Sequence, residues 1–428
     1  FCLKTLETTL HLNSTGHMSE SLEISGNNGA HREAKEITFK ESAYQMFCTS
    51  YLNLLLFATP LAILSYGLGW SDVTTFVFSL IALCPLAERL GFVTEQLALH
   101  TNETIGGLLN ATFGNATELI VSIAALSKGL YRLVQLSLLG SILSNMLLVL
   151  GTAFFFGGLQ ENVQKYNKIS SQVNSTLLML STMSILFPTV LYQSGKCSKL
   201  GELGLSRGTS LILFFLYFGF LYFQLFTHKS VYDEPSKPLL GGETSTTSQE
   251  EGRTNGAKEE EEEEEEDVLG FHYALFWLGA ITALIAVLSE AISDSIQDAA
   301  NDAGISGVFI AAILLPIVGN AAEHAGAVMF AWKGKVDLAL GVAIGSSTQI
   351  AVCVLPFLVI LGWMMGKDLD LNFGSYESTC VLLTVISVTF AIKDGESNWL
   401  LGATLIAAYL IISIGFWAHS NDSLSSSD

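Results

Sequence analysis

Residues 114–118 read Gly114-Asn115-Ala116-Thr117-Glu118, and residues 319–323 read Gly319-Asn320-Ala321-Ala322-Glu323. Each pentapeptide lies inside an apolar stretch, 105–127 and 305–331, of the length a helix needs to cross a bilayer, about 20 residues. A carboxylate at the centre of such a helix costs about 2.5–3.5 kcal/mol. Packing does not repay that cost, so each Glu must face a partner, an ion or water. Sliding 105–151 by 205 positions onto 310–356 superposes more than these motifs. Lys128-Gly129 falls on Lys333-Gly334, and Gly140-Ser141 falls on Gly345-Ser346, without a gap. Apolar stretches match by composition alone, but these polar and glycine pairs do not. The chain reads as an internal duplication.

Working outward, apolar runs recur at 49–69, 74–99, 105–127, 133–158, 174–193, 208–227, 270–292, 305–331, 338–362, 376–392 and 398–418, about eleven candidate spans. The first stands outside the duplication and the rest divide five and five. An odd number of spans per copy inserts the second copy upside down, the inverted-repeat plan in which a substrate site forms at the midplane. The expected fold is an all-α polytopic membrane protein in the lipid bilayer. One N-terminal helix (49–69) precedes two inverted five-helix repeats (74–227 and 269–418). Polar tails are expected at 1–45 and 419–428, and an acidic linker at 228–268. Basic residues fall evenly on the two faces. The N-terminus is expected to be cytosolic only once Arg32, Lys35 and Lys40 are counted.

Composition agrees. Half of the residues are hydrophobic and 14% are charged, against about 25% in soluble domains. The net charge of −20 owes much to the run Glu259–Asp267, so it says little about partners. That run reads as a solvated linker that concentrates cations near the surface. The six cysteines have neither disulfide-framework nor zinc spacing. No nucleic-acid module, P-loop, HExxH, GxGxxG or EF-hand loop is present.

The chemistry centres on the two motifs. Asn115 and Glu118 are three apart and share a helix face, as do Asn320 and Glu323. Gly114 and Gly319 permit local opening of the helix and free backbone carbonyls, and Pro316 adds a break before the second motif. Pseudo-symmetry then gathers two carboxylates and two amide oxygens. Calcium takes 6–8 such hard oxygens; manganese fits the same donors. Two adjacent carboxylates cannot both stay ionised cheaply without a cation, so protons replace the cation when it leaves. The ion is cargo, and no cofactor is expected.

A second tier follows. Ser141 and Ser346 are equivalent under the offset, as are Ser144 and Gln349. Their hydroxyl and amide groups suit an ion or its water, although small residues also serve helix packing in membranes. Glu88 and Glu290 become equivalent with a three-residue gap, and Glu95 lies one heptad past Glu88. These three are candidates for a cation path, with pairing to Arg89 the competing role for Glu88. His324 has Leu119 as its counterpart and could relay a proton or tune Glu323.

The stretches Gly107–Ile120, Leu139–Gly151, Leu315–His324 and Leu338–Gln349 closely resemble the vacuolar cation/proton exchangers of plants and fungi. Pro85–Gly91 and Asp394–Leu400 are similar to that family too, and the likeness covers roughly residues 50–420. The resemblance implies the calcium/cation antiporter superfamily, eleven helices, and a cytosolic acidic helix between the sixth and seventh. It implies that Glu118 and Glu323 bind the cation, supported by Asn115, Asn320 and Gln349. It also implies calcium loading into the vacuole, driven by the proton gradient. The segment 289–302 departs from the family pattern by being unusually polar. A sodium-coupled exchanger of the same superfamily and a divalent-cation channel are the alternatives. Nothing in the sequence bears on oligomeric state.

Overall fold

The computed structural model describes residues 37–229 and 267–419. The expectations for the first 36 residues, for the acidic run up to residue 266 and for the tail from 420 lie outside the described residues.

The helices, in chain order, are α1 (Phe39–Cys48), α2 (Tyr51–Gly67), α3 (Asp72–Leu99), α4 (Glu103–Phe113) and α5 (Ala116–Ser127). There follow α6 (Tyr131–Gln160), α7 (Lys168–Gln193), α8 (Lys199–Thr227) and α9 (Phe271–Ala303). The last are α10 (Gly307–Gly319), α11 (Ala321–Trp332), α12 (Val336–Met364), α13 (Ser375–Ala391) and α14 (Trp399–Ala418). Two short strands, β1 (Gln164–Lys165) and β2 (Glu396–Ser397), pair antiparallel.

By length and composition, α3, α6, α7, α8, α9, α12 and α14 suffice to cross a bilayer, which makes seven. The bent pairs α1–α2, at 93°, and α10–α11, at 54°, raise this to nine. The remaining candidates, α5 and α13, are apolar but shorter. Among the described residues, length and composition therefore stop short of eleven, because the break at Gly114-Asn115 leaves α5 short and α13 has only 17 residues.

Two ends of the bundle are recognisable from their contacts. At the α1 end, Trp277 Nε1 donates to Ser42 Oγ (2.6 Å), and Val268 N donates to Gln96 Oε1 (2.9 Å). Asn167 N donates to Asp337 Oδ1 (2.6 Å) at the same end, where β1 also pairs with β2. At the opposite end Lys128 pairs with Asp294 (2.7 Å), Arg132 with Glu377, and Lys199 with Asp370 (2.6 Å). Glu88 lies toward the α1 end, where its neighbour Arg89 donates to the Gln45 carbonyl (3.2 Å). Its repeat counterpart Glu290 lies toward the opposite end, where its carbonyl accepts from Lys128 Nζ (3.0 Å). Equivalent residues at opposite ends are what an inverted repeat requires.

The segment read as a tail to residue 45 turns helical at Phe39. Thr38 and Glu41 form a reciprocal capping box, Thr38 N donating to Glu41 Oε2 (2.9 Å) and Glu41 N donating to Thr38 Oγ1 (3.3 Å). Phe39 stacks on Trp277 at 5.8 Å between ring centroids, and Phe47 meets the same indole edge-on at 5.4 Å. The mean polarity of the segment conceals this one aromatic face.

In lipid, helices are drawn together by close packing more than by hydrophobicity. α6 lies at the centre and is almost wholly buried. Gly140 of α6 packs against the Ala312 carbonyl and Pro316 of α10. Further along α6, Gly151 faces Gly402 of α14 backbone to backbone.

Candidate functional site

Both Glu motifs sit at helix breaks. In the first repeat the chain turns at Gly114-Asn115 between α4 and α5, and Glu118 falls in the first turn of α5. In the second, Asn320 interrupts the path from α10 to α11, and Glu323 falls in the first turn of α11. Asn115 (φ −114°, ψ 26°) and Asn320 (φ −93°, ψ 15°) precede these helices, and neither side chain caps its own helix. Each amide is thereby left to reach across the bundle. The exposed backbone N–H groups at each helix start favour negative charge there.

The side chains from the two repeats meet in one hydrogen-bonded network. Asn115 Nδ2 donates to Gln349 Oε1 at 2.8 Å. Ser346 Oγ lies 2.8 Å from Asn115 Oδ1 and 2.9 Å from Glu323 Oε1. Asn145 Nδ2 donates to Glu323 Oε2 at 2.6 Å and lies 3.2 Å from Ser346 Oγ. Asn320 Nδ2 donates to Asn145 Oδ1 at 3.1 Å, while Asn320 Oδ1 is buried without a hydrogen-bond partner. Ser144 Oγ stands 3.1 Å from His324 Nε2.

Glu118 is placed differently. It lines a cleft together with Thr117, Ser137, Ser141, Pro316 and Gly319. A Cβ at Gly319 would lie 3.9 Å from Glu118 Oε1, so the absent side chain leaves that carboxylate room beside the second break. Val121 and Ser137 extend the lining past Glu118. Both positions lie toward the opposite end, so the cleft leads that way.

The structure thus brings together Asn115, Asn320, Glu323, Gln349, Ser144, Ser346 and His324, and sets Glu118, Ser141 and Gly319 along the adjoining cleft. Gly114 is exposed at the first break. Glu88, Glu95 and Glu290 lie away from the network: Glu88 is ion-paired with Arg89, and Glu95 and Glu290 are exposed on α3 and α9. Sequence reasoning missed Asn145. The duplication places Ile350 opposite it, so a search for residues shared by both repeats passes over it. Its signal was an amide inside an apolar span, directly after Ser144.

The sodium/calcium exchanger protein family matches this chain twice, over residues 71–226 and 273–418, which coincides with the duplication. Vacuolar cation/proton exchanger 3 of Oryza sativa subsp. japonica is 46% identical over 389 residues, covering 89% of this chain and 90% of the relative. Vacuolar cation/proton exchanger 2 of Arabidopsis thaliana is 48% identical over 383 residues, covering 88% and 82%. Among solved structures, the Ca2+/H+ antiporter protein YfkE is 34% identical, with a TM-score of 0.68 and coverage of 86% of this chain and 98% of that one. An H+/Ca2+ exchanger CAX shares the fold, with a TM-score of 0.60 at 15% identity over 88% and 92% of the two chains. By matches over both repeats and nearly the whole described length, the chain belongs to the sodium/calcium exchanger family and, within it, to the vacuolar cation/proton exchangers.

Proposed function

We propose that the chain is a secondary active antiporter that exchanges Ca2+ for H+ by alternating access. It loads calcium into the vacuole across the vacuolar membrane, with its N-terminus in the cytosol. It is a transporter and not an enzyme: Ca2+ and H+ are cargo, Mn2+ fits the same donors, and no resident cofactor is involved. The observation that carries the reading is the network in which Glu323 meets amide and hydroxyl groups of both repeats, beside the cleft that its repeat counterpart Glu118 lines.

The coupling follows from the donor count. A serine hydroxyl has one hydrogen, and Ser346 Oγ faces two acceptors, Asn115 Oδ1 and Glu323 Oε1. When Glu323 is ionised, it takes the Ser346 hydrogen and the Asn145 amide hydrogen. The oxygen of Asn115 is then released to ligate a cation. When Glu323 is protonated, its own O–H donates to Ser346, which turns its hydrogen to Asn115 and occupies that oxygen. The buried, unpartnered Asn320 Oδ1 is a further hard donor. Proton and cation thus compete for one donor set, as exchange requires. Ser141 and Gly319 shape the cleft by which the ion reaches Glu118, and Glu88, Glu95 and Glu290 attract cations at the two ends.

The test is calcium uptake into sealed vesicles holding an imposed acid-inside gradient, for wild type, Glu118→Gln and Glu323→Gln. Proton exchange predicts uptake that a protonophore abolishes, and inserted mutants with less than about 1% of wild-type rate, a barrier rise of roughly 2.7 kcal/mol or more. Uptake that follows a sodium gradient instead would make the protein sodium-coupled. Uptake that follows voltage without moving protons would make it a channel.

A further inference from the structure

We propose that Tyr409, on α14, is a positioning residue for the cation site and acts through Ser144; this deepens the reading above and rests on it. Tyr409 lies outside the superposable segments of the two repeats and is only 2% exposed. Its hydroxyl has no hydrogen-bond partner, which is costly for a buried polar group. α14 runs antiparallel to α6 with Gly402 against Gly151, which sets Tyr409 level with Ser144.

Ser144 and Asn145 do an unusual thing together. They are consecutive on α6, and they hold consecutive residues of α11: Ser144 meets His324 at 3.1 Å, and Asn145 meets Glu323 at 2.6 Å. Consecutive side chains of a regular α-helix diverge by about 100°, so one face cannot normally present both. Here the segment Ser144–Val149 is a π-helical turn, which widens the helix at that point. The bulge alone leaves Ser144 free to rotate about its Cα–Cβ bond. α14 packs against this turn, and its residue at the level of Ser144 is Tyr409.

A serine hydroxyl can accept one hydrogen bond while donating another. With Tyr409 O–H donating to Ser144 Oγ, the Ser144 hydrogen is directed at His324 Nε2. The imidazole is then held with its own hydrogen on Nδ1. In the conformation described the Tyr409 link is open. In the proposal a small closure of α14 on α6 completes it when the cation is bound, which fixes Ser144 and, through the π-helical turn, the reach of Asn145 to Glu323.

The test is equilibrium binding of radioactive calcium to the purified full-length chain in detergent, with uptake kinetics measured in parallel. Tyr409→Phe removes only the oxygen and keeps the ring in its packing. The expected result is binding weaker by roughly 3- to 10-fold, the span of one neutral hydrogen bond. The same factor should appear in KM with the maximal rate retained. In a Ser144→Ala background Tyr409→Phe should cost nothing further. The proposal is overturned if Tyr409→Phe binds calcium like wild type, if it loses the same factor again in the Ser144→Ala background, or if only the maximal rate falls. A wild-type chain that binds no calcium would instead overturn the functional reading itself, and this inference with it.

Discussion

Ser346 and Asn145 carry the argument at the scale of single residues. Both are buried; Ser346 touches groups from both repeats, and Asn145 reaches across to three residues of the other one. Asn145 donates to the carboxylate of Glu323 and accepts from Asn320, so no hydrophobic isostere reproduces it. Asn145→Leu leaves Glu323 without one donor. A hydrogen bond to a charged group contributes about 1.5–3 kcal/mol, so KM for calcium should rise roughly 10- to 100-fold. Uptake measured against calcium concentration checks this, and an unchanged KM would remove Asn145 from the site. The candidate residues Glu118, Glu323, Asn115, Asn320, Ser346 and Gln349 were legible in the sequence because duplication writes each position twice. Asn145 was not, since its counterpart is Ile350, and hydrogen bonding between distant helices leaves no periodic trace. For Glu88 the structure shows the plainer of its two expected roles: its carboxylate holds Arg89, which in turn clamps α1 through Gln45 and Thr49.

At the scale of elements, the helix breaks were readable from Gly114-Asn115 and from Pro316 with Gly319-Asn320, and the chain bends there. The π-helical turns Ser144–Val149 and Ile350–Val354 were not readable. They occupy corresponding places in the two repeats, but a π turn is one extra residue in a helical ladder and carries no composition of its own. Nor was α1, whose aromatic face declares itself only against Trp277. Close helix approach is better signalled, since glycines punctuate α6 and α14. A Cβ at Gly402 would come within 2.6 Å of the Gly151 carbonyl oxygen. Gly402→Ala must push α14 off α6, at a cost of about 1–3 kcal/mol for overpacking. A thermal melt of the detergent-purified protein should fall by several degrees, whereas Gly204→Ala on α8, which meets nothing, should leave it unchanged. Equal melts for the two would contradict the backbone-to-backbone contact.

For the molecule as a whole, the ungapped offset of 205 positions and the double family match agree on two copies of one unit, and the loops at the α1 end tie the copies together. Gln164 pairs with Ser397 and Lys165 with Glu396 across the strand ladder, and Ser397 Oγ donates to the buried Gln164 Oε1 at 3.0 Å. Tyr166 N adds a bond to the Gly395 carbonyl at 3.1 Å. These contacts make the end loops a single strap, which is expected to stay closed during transport. A disulfide formed between Lys165→Cys and Glu396→Cys, whose paired positions suit its geometry, should leave calcium uptake within about twofold of the reduced protein. Uptake that stops on oxidation and returns on reduction would show that the strap opens in each cycle. The duplication itself is imperfect where it matters most: Asn145 faces Ile350 across the pseudo-symmetry, and His324 faces Leu119. Two identical inverted halves would give inward-open and outward-open states of equal free energy. With these mismatches, and with α1 and α2 present in one copy only, no symmetry holds the two states equal, so they are populated unequally before any gradient is applied, while the gradients alone set the direction of net exchange.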